Sequence, residues 1–312
     1  MDWQDEINAA AHRIADHIQN TPTVDVAADW LPCPVAFKLE QMQHTGTFKA
    51  RGAFNSLLSG DMPNIGPKAG IVAASGGNHG AAVAYAAHKL GYKAAIFVPE
   101  MAGPSKIDLI RRAGADLQVV PGEYADALRA AQAYEADTGA AQIHAYDGLG
   151  TVVGQGTMMR EWEAQGLAAD TILIAVGGGG LIGGSLAWLQ GARKVVAVEP
   201  ETSCALNAAL AAGKPVDVNV SGVAANALGA KRIGQYCFDL ARAHLGDSVL
   251  VRDDAITQAQ LLLWQNLRQL VEPAGATALA ALLSGAYTPA PGERVAVLIC
   301  GANPAPDPLL AQ

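Results

Sequence analysis

The chain has 312 residues, of which 51% are hydrophobic and 16% charged, with a formal net charge of −8. That length favours two lobes over a single core, and the acidic balance excludes a surface built to neutralise phosphate backbones, which leaves small-molecule chemistry and no nucleic-acid partner. Asp2, Asp5, Glu6 and Arg13 are unlike a signal peptide, no apolar run is long enough for a bilayer, and Cys33, Cys204, Cys237 and Cys300 form no CxxC pair; a cytoplasmic protein with no membrane contact, zinc site or disulfide framework is expected.

Residues 2–19 place Ile7, Ala11, Ile14 and Ile18 on one helical face, and Asn20-Thr21-Pro22 ends that helix. Residues 35–40 alternate as a strand, Thr45-Gly46-Thr47 makes a turn, and a helix over 48–58 puts Lys49 in its first turn. A lysine among small and apolar neighbours sheds its proton more easily, because burial disfavours the ammonium, and its free amine can form a Schiff base. On these residues alone the other reading, Lys49 and Arg51 as the solvated face of a short helix, is favoured. Residues 60–67 read as a polar loop crossing between lobes.

From residue 70 strands and helices alternate: strand 71–74, helix to 90, strand 94–98, helix 105–113, strand 117–120, helix 125–137 and strand 141–144. Such alternation means crossover units and a parallel sheet, here a small domain over residues 69–147. A second series follows, with a helix to 165, strand 171–176, a glycine run, a helix to 189 and strand 194–198. Helices at 204–212, 235–244 and 256–270, a helix opened by Glu272-Pro273-Ala274-Gly275-Ala276, and a buried strand over 294–299 complete a larger domain of residues 1–60 and 148–312. The fold class expected is α/β, with two lobes that are each an open, mainly parallel sheet flanked by helices.

Open parallel sheets bind ligands beyond the carboxyl ends of their strands, and four strand-to-turn junctions carry unusual chemistry. Ser75-Gly76-Gly77-Asn78-His79 opens a helix whose free amides can hold a carboxylate or phosphate, or be capped by Ser75 or Asn78 with no ligand at all. Gly177-Gly178-Gly179-Gly180-Leu181-Ile182-Gly183-Gly184 leaves a buried strand, and so many glycines imply close approach of something to the backbone, a phosphate above all. The run also matches GxGxxG at Gly178, Gly180 and Gly183, with Glu199 about 20 residues further on, so a nicotinamide-dependent oxidoreductase is the rival reading. Glu272 begins a helix, where an acid is commonplace, and Cys300-Gly301-Ala302-Asn303 by itself is a turn.

Taken in order, Thr47-Phe48-Lys49-Ala50-Arg51-Gly52-Ala53, Ser75-Gly76-Gly77-Asn78-His79-Gly80, the tetraglycine loop, Val271-Glu272-Pro273-Ala274-Gly275-Ala276 and Cys300-Gly301-Ala302-Asn303 resemble pyridoxal-phosphate enzymes of the tryptophan-synthase-β type, and among them the serine/threonine dehydratase and serine racemase family. The resemblance spans nearly the whole chain. It implies pyridoxal 5'-phosphate in the cleft between the lobes, tethered as a Schiff base to Lys49, which then removes the substrate α-proton. It further implies Phe48 and Asn78 beside the cofactor ring, the amides of Gly177, Gly178, Gly179, Gly180 and Leu181 around its phosphate, Glu272 near the cofactor, and Cys300 as a neutral partner of the ring nitrogen. Ser75, Gly76, Asn78 and His79 would hold the carboxylate of an amino-acid substrate. The implied reaction is loss of water from L-threonine or L-serine, giving 2-oxobutanoate or pyruvate and ammonia, and the implied assembly is a homodimer.

Three departures qualify the resemblance. Racemases of the family carry a serine two residues before the asparagine, and Gly76 stands there, which implies elimination without racemisation. The metal site of some members retains Glu199 but finds Ala205 where a second carboxylate is expected, so no metal is expected. Ser221-Gly222-Val223 replaces a common Asp-Gly-Val, so the substrate pocket can differ, and 3-hydroxyaspartate or phenylserine is an alternative substrate, with serine racemisation as an alternative activity. No segment after Gln312 provides an isoleucine-sensing domain, so feedback control of that type is not expected. A non-catalytic binding protein of the same shape is the remaining rival.

Overall fold

The computed structural model describes residues 1–60, 70–122 and 124–304. Along the chain lie α1 (Trp3–Ile14), β1 (Thr23–Val26), β2 (Val35–Leu39), α2 (Lys49–Leu58), β3 (Ile71–Ala74), α3 (Asn78–Lys89), β4 (Ala94–Pro99), α4 (Pro104–Arg112), β5 (Asp116–Val120), α5 (Tyr124–Thr138) and β6 (Ala141–Gln142). There follow α6 (Leu149–Ala164), β7 (Thr171–Ala175), α7 (Gly180–Leu189), β8 (Lys194–Pro200), α8 (Ala205–Ala212), α9 (Ala225–Leu228), α10 (Gln235–His244), β9 (Asp247–Val251), α11 (Asp253–Leu262), α12 (Pro273–Leu283) and β10 (Val295–Ile299).

Two sheets result. One has six strands in the order β1-β2-β10-β7-β8-β9, and the other four in the order β5-β4-β3-β6. Every pairing is parallel except that of β1 with β2. This is the expected pair of α/β domains. The two sheets share a wiring: the chain steps outward along β7, β8 and β9 and returns to place β10 on the other side of β7, just as it steps along β3, β4 and β5 and returns to place β6 beside β3. Each sheet therefore has a switch point beyond the carboxyl ends of its central strands, where neighbouring connections diverge and leave a crevice.

The central strands β3, β4, β7 and β10 are buried along their whole length, as expected of strands covered on both faces. The larger core gathers Phe37, Trp162, Met158, Met159, Ile172 and Leu298 around the six-stranded sheet. A second core joins β3, β4 and α3 to Ala50, Ala53, Phe54 and Leu57 of α2, so the helix that carries Lys49 is packed against α3 of the small domain. On its other side α2 meets α6, where a Cβ on Gly154 would lie 2.7 Å from Gly52 Cα. Only two facing glycines let these helices approach so closely.

One expected helix differs, and two strands were not expected. The helix anticipated over 256–270 is regular only to Leu262, continues as a wider turn over Leu263–Leu267 and stops at Arg268, whose φ is 56°. β1 and β9 are edge strands with mostly half-exposed or exposed residues, which lack the long apolar run that announces a buried strand. The loop expected over 60–67 lies, apart from Gly60, outside the described residues.

Candidate active site

Lys49 opens α2, and three backbone contacts hold the preceding turn to the end of β10. Thr47 bridges to Gly301, the Phe48 amide donates to the Cys300 carbonyl at 3.4 Å, and that of Ala302 donates to the Gly46 carbonyl at 2.9 Å. Behind the lysine, Arg51 donates from Nε and Nη2 to the two oxygens of Glu40, each at 2.8 Å, and from Nη2 to Glu161 at 2.8 Å. Lys38 completes the group with a 2.6 Å bond to Glu161. Arg51 has no exposed surface, so the reading of Lys49 and Arg51 as a solvated face is excluded: Arg51 is the buried anchor of the turn.

The Lys49 amine lies on the cleft side, 5.2 Å from the centroid of the Phe48 ring. It donates to the carbonyl of Ala145, just after β6, at 2.8 Å. Burial lowers its pKa to about 8, against the opposing influence of Cys300 and Glu272. Near neutral pH a useful fraction is therefore the free amine, the nucleophilic form.

Across the cleft, α3 starts after Gly77 with no side-chain cap, and the Ser75 hydroxyl only accepts a 3.4 Å bond from the Gly77 amide. This 12-residue helix presents its first amides and the positive end of its dipole to the cleft. His79 does not add a cation there. Its Nε2 donates to the Ile143 carbonyl at 2.9 Å, and burial pushes its pKa down to about 3. Its ring is neutral and turned to the small domain, so its backbone is what it can offer an anion.

The glycine run combines both reasons for its composition. α7 begins at Gly180 with no side-chain cap, and Gly179 has φ 96°, which favours glycine. Yet the room left by the missing side chains is filled by protein. A Cβ on Gly178 would lie 2.2 Å from the Tyr146 ring, one on Gly177 would lie 2.9 Å from Leu228 Cα, and one on Gly179 would lie 2.5 Å from Cys237 Cβ. Close packing and an open helix N-terminus coexist at this turn.

Glu272 is buried, and its pKa is raised to about 7 by that burial, with Asn78, Lys106 and Lys49 pulling the other way. Asn78 Nδ2 donates to Glu272 Oε1 at 2.7 Å. At the end of β10 the Cys300 thiol donates to the Ala274 carbonyl at 3.4 Å, and burial pushes its pKa up, so it stays neutral.

These groups share one space. Phe48, Lys49, Asn78, Glu272, Cys300 and the glycine run line its inner part, and Lys49 with the residues from Ser75 to His79 lines a continuation of about 510 Å³. Every site residue expected from the sequence is thus brought to one cleft between the two switch points. Sequence reasoning missed Tyr146, which lies in both parts, and Lys106, Ala225, Asn226 and Ala227 of the outer wall. Asn303, in the turn that follows Cys300, reads from the sequence only as a turn residue, yet it bonds to both Thr45 and Asn78. None of the others carries a signal except Lys106, a charged residue two positions past a helix-opening proline.

Glu199 removes the nicotinamide rival. Its carboxylate is wholly buried and accepts from the amides of Leu206 and Asn207 at the start of α8, each at 2.8 Å. It is spent on a helix and is not presented to a ribose. Pyridoxal phosphate fits the residues present: a depressed-pKa amine, an uncapped helix N-terminus for a phosphate, an aromatic ring and a neutral thiol converge on one cavity.

Fold and site together define a two-domain enzyme of the pyridoxal-phosphate type. Residues 14–301 match the family model described as pyridoxal-phosphate dependent enzyme, and the chain belongs to that family. It is 37% identical over 297 residues to a phenylserine dehydratase from Ralstonia pickettii, covering 93% of this chain and 90% of that protein. It is 32% identical over 300 residues to an L-threonine ammonia-lyase from Geobacter sulfurreducens, covering 95% and 74%. Among solved structures, maize serine racemase superposes with a TM-score of 0.90 at 30% identity, covering 96% of this chain and 93% of that one. A T.th. threonine deaminase gives 0.86 at 33%, covering 96% and 97%. Among the described residues no helix is long and apolar enough to cross a membrane.

Proposed function

We propose that this chain eliminates water from β-hydroxy-α-amino acids of the threonine and serine type, releasing a 2-oxo acid and ammonia. The observation that carries the reading is the Lys49 amine, depressed to about 8, sharing one cleft with the uncapped start of α3. Bound pyridoxal phosphate supplies the carbonyl to which an amine attaches and the electron sink for the α-carbon. The chain's own residues do the rest. The α3 amides would hold the substrate carboxylate, Lys49 would hold the bound cofactor and serve as the base for the α-proton, and the neutral Cys300 thiol would face the ring nitrogen without a charge. Loss of the β-hydroxyl as water leaves an enamine, which hydrolyses to the 2-oxo acid and ammonia.

The outer wall favours a refinement toward bulky, apolar β-substituents. Ala102, Ala145, Ala225, Ala227, Gly229 and Ala230 line it with small side chains, and a roomy wall of this kind accommodates an aromatic ring, in keeping with the phenylserine dehydratase relative. The test is ammonia and 2-oxo-acid release by the purified, cofactor-loaded protein from L-threonine, L-serine and 3-phenylserine. Activity on all three with 3-phenylserine highest in kcat/KM supports both parts. Ammonia from none of them rejects the dehydratase reading.

A further inference from the structure

We infer that Asn303 is a positioning residue that fixes the orientation of the Asn78 carboxamide, so that Asn78 can meet the cofactor only as a hydrogen-bond donor. The inference rests on the reading of Asn78 as a residue facing the bound cofactor.

A backbone carbonyl fixes every atom in the chain of contacts. The Thr45 carbonyl can only accept, so the side-chain atom 2.8 Å from it is the Asn303 NH₂ group. The same nitrogen lies 2.9 Å from the Asn78 amide, and two donors cannot share that contact, so the Asn78 atom is Oδ1. Asn78 Nδ2 then faces the other way, where Glu272 Oε1 receives it at 2.7 Å. One Nδ2 hydrogen is used there. The second is left for the inner cavity that Asn78 lines.

The surroundings are shaped to seat both partners. A Cβ on Gly46, whose φ is 75°, would lie 2.7 Å from Asn303 Oδ1, and one on Gly301 would lie 2.1 Å from Glu272 Oε1. Asn303 thereby joins three segments that the site needs in register: the turn before Lys49, the first residue of α3 in the small domain and the end of β10. Replacing it by aspartate inverts the logic. A carboxylate at 303 can only accept, so it repels the Thr45 carbonyl and can be met by Asn78 only if that amide turns over, which sets Oδ1 against Glu272 and offers the cavity an acceptor in place of a donor.

The experiment compares absorbance spectra of the resting, cofactor-loaded protein for wild type, Asn303→Asp, Asn303→Ala and Asn78→Ala, without substrate. A donor at Asn78 favours the ionised ring oxygen of the cofactor and hence its long-wavelength band. A roughly tenfold fall in the ratio of long- to short-wavelength absorbance is expected for Asn78→Ala and Asn303→Asp, and a smaller fall in the same sense for Asn303→Ala, as for loss of one charge-assisted hydrogen bond. Urea unfolding of each variant checks the fold, and Asn303→Ala carries the test if the aspartate variant does not fold. If both Asn303 variants keep the wild-type band while Asn78→Ala loses it, the tie is merely structural and the inference is overturned, with the Asn78 reading intact. If Asn78→Ala keeps the band, that reading falls and the inference with it.

Discussion

Arg51 and Glu40 form a two-bond ion pair with both side chains fully buried, two residues beyond the lysine on which the proposed chemistry depends. Two such charges leave water only at considerable cost, and a pair so placed serves geometry before stability. Through Glu161 and Lys38 it fastens the start of α2 to β2 and α6, elements of the larger domain. Arg51→Met leaves Glu40 and Glu161 with one cation fewer. It should destabilise the protein by about 3–5 kcal/mol, the usual cost of an orphaned buried charge. Urea unfolding of the cofactor-free protein measures this, and a loss below about 1 kcal/mol would show that the group is not the anchor described.

Lys49 itself is different. Among the described residues its amine makes one hydrogen bond, to the Ala145 carbonyl, so Lys49→Ala should change stability by no more than about 1–2 kcal/mol. It should nevertheless abolish the covalent attachment that borohydride traps in the wild type. Peptide mapping after reduction locates the label, and a label elsewhere, or one retained in Lys49→Ala, refutes the assignment.

The pH dependence of cofactor attachment follows from the depressed pKa. A lysine whose protonation is half complete at about pH 8 presents neutral amine above that value and loses it about tenfold per pH unit below. The rate at which pyridoxal phosphate joins the cofactor-free protein should rise with pH and level off above about 8. A midpoint near 10.5, the ordinary lysine value, would mean that burial does not act on Lys49 as described.

Much of this was legible in the sequence, for reasons that also explain what was not. β3, β4, β7 and β10 are covered on both faces, so each is an unbroken apolar run, and their junctions with Ser75, Gly177 and Cys300 stood out. The edge strands β1 and β9 are half solvated and gave no such run. Arg51 read as a surface residue because its two carboxylate partners are supplied by tertiary packing: Glu40 lies beyond a turn outside its helix and Glu161 is 110 positions away, and no helical pattern marks either. Tyr146 and Asn303 escaped because their work is done by position: one fills the space beside Gly178, the other turns an amide. The ordered set of motifs found the site, and the tertiary contacts supply its orientation.

The glycine turn allows a test of packing against binding. A methyl on Gly178 would fall 2.2 Å from the Tyr146 ring, so Gly178→Ala should cost about 1–3 kcal/mol by overpacking and weaken pyridoxal-phosphate affinity at least about tenfold. Adding Tyr146→Ala relieves the clash. If stability returns in the double variant while affinity stays low, the backbone at 178 contributes to cofactor binding beyond its packing role. Recovery of both would reduce that glycine to a packing residue.

Gly76 governs the last prediction, which concerns the outcome of the reaction. Glycine has no group to deliver a proton to the far face of the α-carbon, so purified wild-type protein should form 2-oxo acid from L-serine with no accumulation of D-serine, as chiral chromatography can follow. Restoring the serine is not a simple exchange. A Cβ at 76 would stand 2.9 Å from Ala102 Cβ and 3.3 Å from Val98 Cγ1, and neither is the far end of a flexible side chain. Gly76→Ser alone should therefore lose about 1–3 kcal/mol of stability and gain little inversion, because the strained segment misplaces the hydroxyl. Pairing it with Ala102→Gly frees the space that the new Cβ needs, so the double variant should regain stability and be the first to release D-serine. Rapid D-serine formation by the wild type would show that another group in the cleft supplies the proton, and the proposed link between Gly76 and elimination would then be wrong.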